Sequence, residues 1–258
     1  MLLRGFCQRS YAALRDREGV LLAMEKSVSS SLLLIPSQLC TAAAWQHQID
    51  NLKDKVQISV ANQRTSDSMA GLARSILAGA PARFATAAHG MGGFIAFEMW
   101  RQAPERIERL ALFDTLATPD TPQQRVRRAG YAELVRRGQF TRVIEERLPI
   151  LFHPDRQAEE QLLSVARAMA AETGPEAFLR QQRAIIDRPD SRATVASITC
   201  PVIVVIGHQD RITALTDAEA IAAGISGARL EVVENCGHMV PLEQPQRTSE
   251  LLARWLAV

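Results

Sequence analysis

Four apolar runs, LLLIP (32–36), VQISVA (56–61), FATAAH (84–89) and RLALFDT (109–115), are separated from one another by helical patterns. Short strands rich in Val, Ile and Leu that alternate with helices specify a mostly parallel sheet with helices packed on it. The intervening helices are expected from Trp45 to Leu52, from Ser66 to Ala80 and over FIAFEMWRQ (94–102). The last is apolar nearly all round and is expected to be buried. From Thr118 to about Arg192 the strand pattern stops, and only helical segments remain. Thirteen arginines and eleven acids fall there, which reads as a solvated, salt-bridged helical face. The strand pattern returns with PVIVVIG (201–207) and LEVVEN (230–235), with helices near Asp217–Gly224 and Arg247–Trp255. The chain therefore divides into an α/β core of 32–117 and 193–258, a helical insertion of 118–192, and an N-terminal extension of 1–31.

Charge and composition remove several classes of function. Thirty basic and 28 acidic residues leave a net charge of +2 with no concentrated basic run, so no nucleic-acid partner is expected. No apolar run reaches the roughly 18 residues that a membrane-spanning helix needs, so no membrane partner is expected. Cys7, Cys40, Cys200 and Cys236 form no C-x-x-C pair, which suits reduced thiols in a cytoplasmic protein. His47, His153 and His208 share no ligand spacing, so no metal is expected, and no cofactor. The extension carries four arginines within MLLRGFCQRSYAALRDREGVLLA but is interrupted by Asp16 and Glu18. With no cleavage pattern it does not read as a secretory leader. A loose helical extension, or a start at Met24, accounts for it.

The informative local feature is strand, AAHGMGG, helix. As a dinucleotide-binding turn it would use Gly90, Gly92 and Gly93 with Asp114 as the downstream acid. That fingerprint wants Gly or Ala where this chain has Ile95, and it belongs after the first strand rather than the third. As a nucleophile elbow, G-x-S-x-G, the fit is AHGMG (88–92), with small residues letting strand and helix approach. Asp210 follows strand PVIVVIG in GHQD, and His238 follows strand LEVVEN in CGHMVPLEQP.

Elbow, acid and histidine in this order resemble the α/β-hydrolase family. The likeness covers roughly residues 30–258 and is carried by LLLIPSQLC, AAHGMGGFIAFEM, PERIERLALFDT, VIGHQDRIT and VENCGHMVPLEQP. The resemblance implies a mostly parallel sheet flanked by helices, with 118–192 as a helical lid. It implies that His238 and Asp210 form an acid–base pair and that the N–H groups of Met91 and Gln38 make an oxyanion hole. The family's serine position is Gly90, so no hydroxyl stands at the elbow itself. The space of the missing hydroxymethyl is expected to hold about one water. Ser37, beside the oxyanion hole, is a candidate to bind a substrate oxygen or that water, or is simply a turn serine. Cys40, which begins the next helix, is either a packed thiol or a substitute nucleophile whose pKa the helix N-terminus lowers.

Relatives with LIPG-x-x-C carry Gly where this chain has Ser37 and commonly an acid where it has Thr41. An acidic turn is also common where this chain reads ANQRTSDS. Departures thus gather around one pocket. Three explanations stay open: a dyad enzyme in which His238 activates water or the substrate itself, a serine enzyme inactivated by substitution at Gly90, and a non-catalytic binder. The expected substrate is a small, largely apolar carbonyl compound, an ester or a C–C bond next to a carbonyl. A homodimer is compatible with the sequence.

Overall fold

The computed structural model describes residues 31–257. The expected N-terminal extension and Cys7 lie outside those residues, except that Ser31 opens the first strand. Six strands form one sheet: β1 (Ser31–Ile35), β2 (Gln57–Val60), β3 (Phe84–His89), β4 (Ile107–Phe113), β5 (Val202–Gly207) and β6 (Arg229–Val233). All are parallel, in the order β2-β1-β3-β4-β5-β6. Burial follows position. β1, β3 and β5 are buried at every residue, whereas the edge strands β2 and β6 keep exposed residues.

Successive side chains of a strand face opposite sides of the sheet, and the two apolar cores divide accordingly. Leu32, Leu34, Ala85, Ala87, Phe113 and Val205 build one core. Leu33, Ile35, Phe84, Ala88, Leu112 and Val204 build the other. The first is covered by α1 (Gln46–Leu52) and by helices of the 118–192 segment. The second is covered by α2 (Met69–Gly79) and α3 (Met91–Gln102). Helix α3 is buried on most of its surface, as its composition requires, but it starts at Met91, three residues before the apolar run.

Between β4 and β5 come α4 (Pro122–Arg136), α5 (Phe140–Leu151), α6 (Glu160–Ile186) and the short α7 (Arg192–Ser197). Thr121 caps α4 with a reciprocal bond to Gln124, and Pro122 sits in its first turn. Helix α6 is broken at Gly174, whose φ of 76° precedes Pro175. After β5 follow α8 (Leu215–Gly224), then β6, then α9 (Val240–Glu243) and α10 (Pro245–Leu256).

The arginines of 118–192 behave in two ways. Arg142–Glu146, Arg137–Glu133 and Arg167–Glu145 are exposed pairs of the kind expected. Arg188 is different: its side chain is 3% exposed, and it pairs with Asp120 at 2.8 Å. It also donates to the Thr118 and Ile185 carbonyls and lies over the Phe94 ring. Arg128 holds the other Asp120 oxygen at 2.6 Å. This buried triad ties the start of the helical segment to the end of α6. Removing one partner of a buried pair leaves an uncompensated charge and costs about 3–5 kcal/mol. Asp120→Ala is therefore expected to lower the unfolding free energy by about that amount, read as a lower urea midpoint.

Candidate active site

The chain leaves β1 toward β2 on one side and returns through β3 on the other, so the winding reverses between β1 and β3. Ligands of open parallel sheets bind at the carboxyl ends of strands at such a switch point. Two loops end there. One is the turn at Gly90 and the other is the loop beginning at Pro36, with Ile35 and Ala88 in register beside each other.

Gly90 has φ 52° and ψ −113°, outside the regions L-residues prefer, as a strained elbow demands. A Cβ on Gly92 would come within 2.4 Å of the Ile35 carbonyl oxygen, so strand and helix meet there only because that side chain is absent.

His238 and Asp210 come together. His238 Nδ1 lies 2.8 Å from Asp210 Oδ2, with both side chains almost fully buried. The second Asp210 oxygen accepts from the Ile212 and Thr213 amides. A carboxylate only accepts, so Nδ1 carries the proton and His238 Nε2 keeps its lone pair. That nitrogen lies 3.3 Å from the place a Cβ on Gly90 would occupy.

The space expected to hold water is filled. The Ser37 hydroxyl lies 2.2 Å from that same Cβ place and accepts from the Met91 amide at 3.3 Å. The Gln38 N–H makes no hydrogen bond among the described residues. The Met91 amide thus meets the Ser37 hydroxyl, and Gln38, the next residue, leaves its own amide unbonded.

Of the two readings of Cys40, the packed thiol fits: the side chain is buried, and burial pushes its pKa up to about 12.

Two adjoining cavities open here. One is walled by Met91, Phe94, Leu116, Ile150 and Ile185 with Arg127, Arg128 and Arg147. Ser37, Gln38, Arg147 and His238 line both cavities.

Several residues that shape the site escaped the sequence reading. Gln63 donates to the Ser37 and Cys40 carbonyls, and Gln181 accepts from the Leu39 amide. Together they hold a loop in which Leu39 has φ 60°. Glu243 accepts from the Gly237, Met239 and His153 amides and so braces the His238 loop. Its signal was the acid in VPLEQP. Asp114 ends β4 with φ 46° and accepts from the Gly207 and Val240 amides. Burial, then the Asp210 charge, holds its carboxyl well above the usual range. Arg147 gave no signal beyond one arginine among thirteen.

The alpha/beta hydrolase family profile matches residues 42–251. The chain belongs to that family. Its fold is an α/β-hydrolase fold, superposing on a thermophilic esterase from Thermogutta terrifontis, solved with malate bound, at a TM-score of 0.80. Identity is 26%, over 88% of this chain and 89% of that one. The enol-lactonase from Burkholderia xenovorans LB400 shares the fold at a TM-score of 0.79 and 20% identity, over 91% of this chain and 94% of that one. A 60-residue stretch is 38% identical to the monoacylglycerol lipase ABHD6 of Mus musculus, 23% of this chain and 18% of that protein's length. The chain thus matches less than a fifth of the lipase. Among the described residues of this hydrolase-family chain no helix is long and apolar enough to cross a membrane.

His89, the residue before the elbow glycine, is fully buried. Its Nε2 donates to the His238 carbonyl at 2.7 Å, and Trp45 packs on its ring edge-on. Burial, then the neighbouring His238, lowers its pKa from 6.5 to about 3. The unfolded chain takes up a proton near pH 6.5 that the folded chain refuses until about pH 3. Stability from His89 is thus complete above 6.5 and is lost as pH falls toward 3. His89→Gln should show a smaller fall in Tm than the unaltered chain over that interval, measured by thermal scans in matched buffers.

Proposed function

We propose that this chain hydrolyses small, largely apolar carbonyl compounds, esters first, with His238 as general base and Asp210 orienting it. The amides of Met91 and Gln38 receive the charge that develops on the carbonyl oxygen. The observation that carries the reading is the 2.8 Å His238–Asp210 bond, which leaves a free Nε2 facing the Gly90 turn. Position 90 has no side chain, so the attacking oxygen comes from elsewhere. Helices α4 to α6 act as the lid, contributing Arg127, Arg147, Ile150 and Ile185 to the cavity wall. Relatives named as an esterase and a monoacylglycerol lipase support an ester as the substrate.

The substrate also carries one anionic group. Arg147 has no carboxylate partner among the described residues; it donates to Gln38 Oε1 at 2.8 Å and lies over the Tyr131 and Phe178 rings. Burial, then Arg128, lowers its pKa to about 10, which leaves it charged at neutral pH. Gln38 Nε2 is buried with no partner. A cation without a counter-ion beside an unused donor, both on the cavity wall, suits a carboxylate.

His238→Ala is expected to lower kcat on p-nitrophenyl acetate about 10²–10⁴-fold, the usual contribution of a general base. An unchanged kcat would sink the reading. Arg147→Met should reduce kcat/KM for a carboxylate-tailed ester at least about tenfold more than for its methyl-capped counterpart, consistent with losing a charged hydrogen bond. Equal losses on both esters would remove the anionic group from the substrate.

A further inference from the structure

We propose that Ser37, on the loop after β1, is the nucleophile of this site. The inference rests on the reading of His238 and Asp210 as a base pair. The Ser37 hydroxyl and His238 Nε2 flank one point, the place a Cβ on Gly90 would take, at 2.2 Å and 3.3 Å. The side chain missing from the elbow is thus replaced in space by one from the neighbouring loop. Ser37 is buried, 6% exposed, and shares the walls of both cavities with His238. Its main chain is fixed, since its carbonyl accepts from the Cys40 amide at 3.2 Å and from Gln63 Nε2 at 3.0 Å.

The hydroxyl is turned to the Met91 amide. A substrate carbonyl oxygen that takes this amide releases the hydroxyl toward Nε2. The residue after Ser37 is Gln38, whose unbonded N–H is the second oxyanion donor, the relation an elbow serine has to the residue that follows it.

The steps balance. The Ser37 hydroxyl proton passes to His238 Nε2 as Oγ bonds the acyl carbon. The tetrahedral centre expels the alcohol oxygen, which takes the proton from Nε2. Water then gives a proton to Nε2 and attacks the Ser37 ester. The acid leaves, and the proton returns to Oγ. Ester and water become acid and alcohol.

A Ser37 that merely satisfies the Met91 amide has the same resting geometry but forms no covalent bond. The test is therefore treatment of the folded chain with a small alkyl fluorophosphonate, in which an Oγ–P bond forms and fluoride leaves. One phosphonyl adduct per chain is expected, on the peptide containing Ser37, with the rate reduced at least about 10²-fold in His238→Ala. Ser37→Ala should give no adduct and lose about 10³-fold or more in p-nitrophenyl acetate turnover. The paired change Ser37→Gly with Gly90→Ser should move the adduct to position 90. Gly90→Ser alone meets the Ser37 Oγ at 2.2 Å and its Cβ at 3.0 Å, so the two positions must change together. No adduct on the unaltered chain, or an adduct elsewhere, overturns the assignment. So does a folded Ser37→Ala that keeps its turnover; if His238→Ala still loses it, water is the nucleophile and the proposed function stands. Turnover indifferent to His238→Ala overturns the function as well.

Discussion

The meeting of the β1 terminus with the first turn of α3 is the constraint on which the site depends. Gly92 brings the helix so near the Ile35 carbonyl that a single methyl group would separate them. Because the helix starts there, the Met91 amide points at the Ser37 loop. Because Gly90 holds a positive φ, the chain turns from β3 into α3 within one residue. Shift that helix and the amide, the Ser37 hydroxyl and His238 no longer share a centre.

The fold was legible because its signal is physical redundancy. The central strands are short, largely apolar runs, and six strand patterns separated by helical ones leave few arrangements other than a parallel sheet. Ends were less legible. Helix α3 begins at Met91 because packing on β1 and Thr115 overrides the turn preference of Gly92 and Gly93. The helices Arg192–Ser197 and Val240–Glu243 are too short to show a period. At the site, His238 and Asp210 could be found because strand ends converge there. Arg147, Gln63 and Gln181 could not, because their roles depend on which side of a helix or loop faces inward. Between the two readings of Cys40, burial outweighs the helix-end effect and leaves the packed thiol.

Near His238 lie three buried titratable groups whose charged forms burial disfavours. His89 is kept neutral, and burial raises the carboxyls of Asp114 and Glu243. Backbone amides satisfy both carboxyls, from Gly207 and Val240 on one and from Gly237 and His153 on the other. The signs oppose one another. His89 loses its stabilising share as pH falls, whereas raised carboxyls lose theirs as pH rises through their folded values.

The bond from Arg147 to Gln38 spans the distance between helix α5 and the loop at the end of β1. On the proposed reading, one end of that bond feels the substrate's remote charge and the other is the residue whose amide stabilises the oxyanion. Recognition and chemistry then share a mechanical link. Part of the attraction between the remote group and Arg147 is expressed at the reacting carbon, as placement of the Gln38 amide, instead of as tighter grip. A poorly matched ester would enter the cavity and still find the amide out of line, so discrimination would arise in the rate of acyl transfer as much as in occupancy.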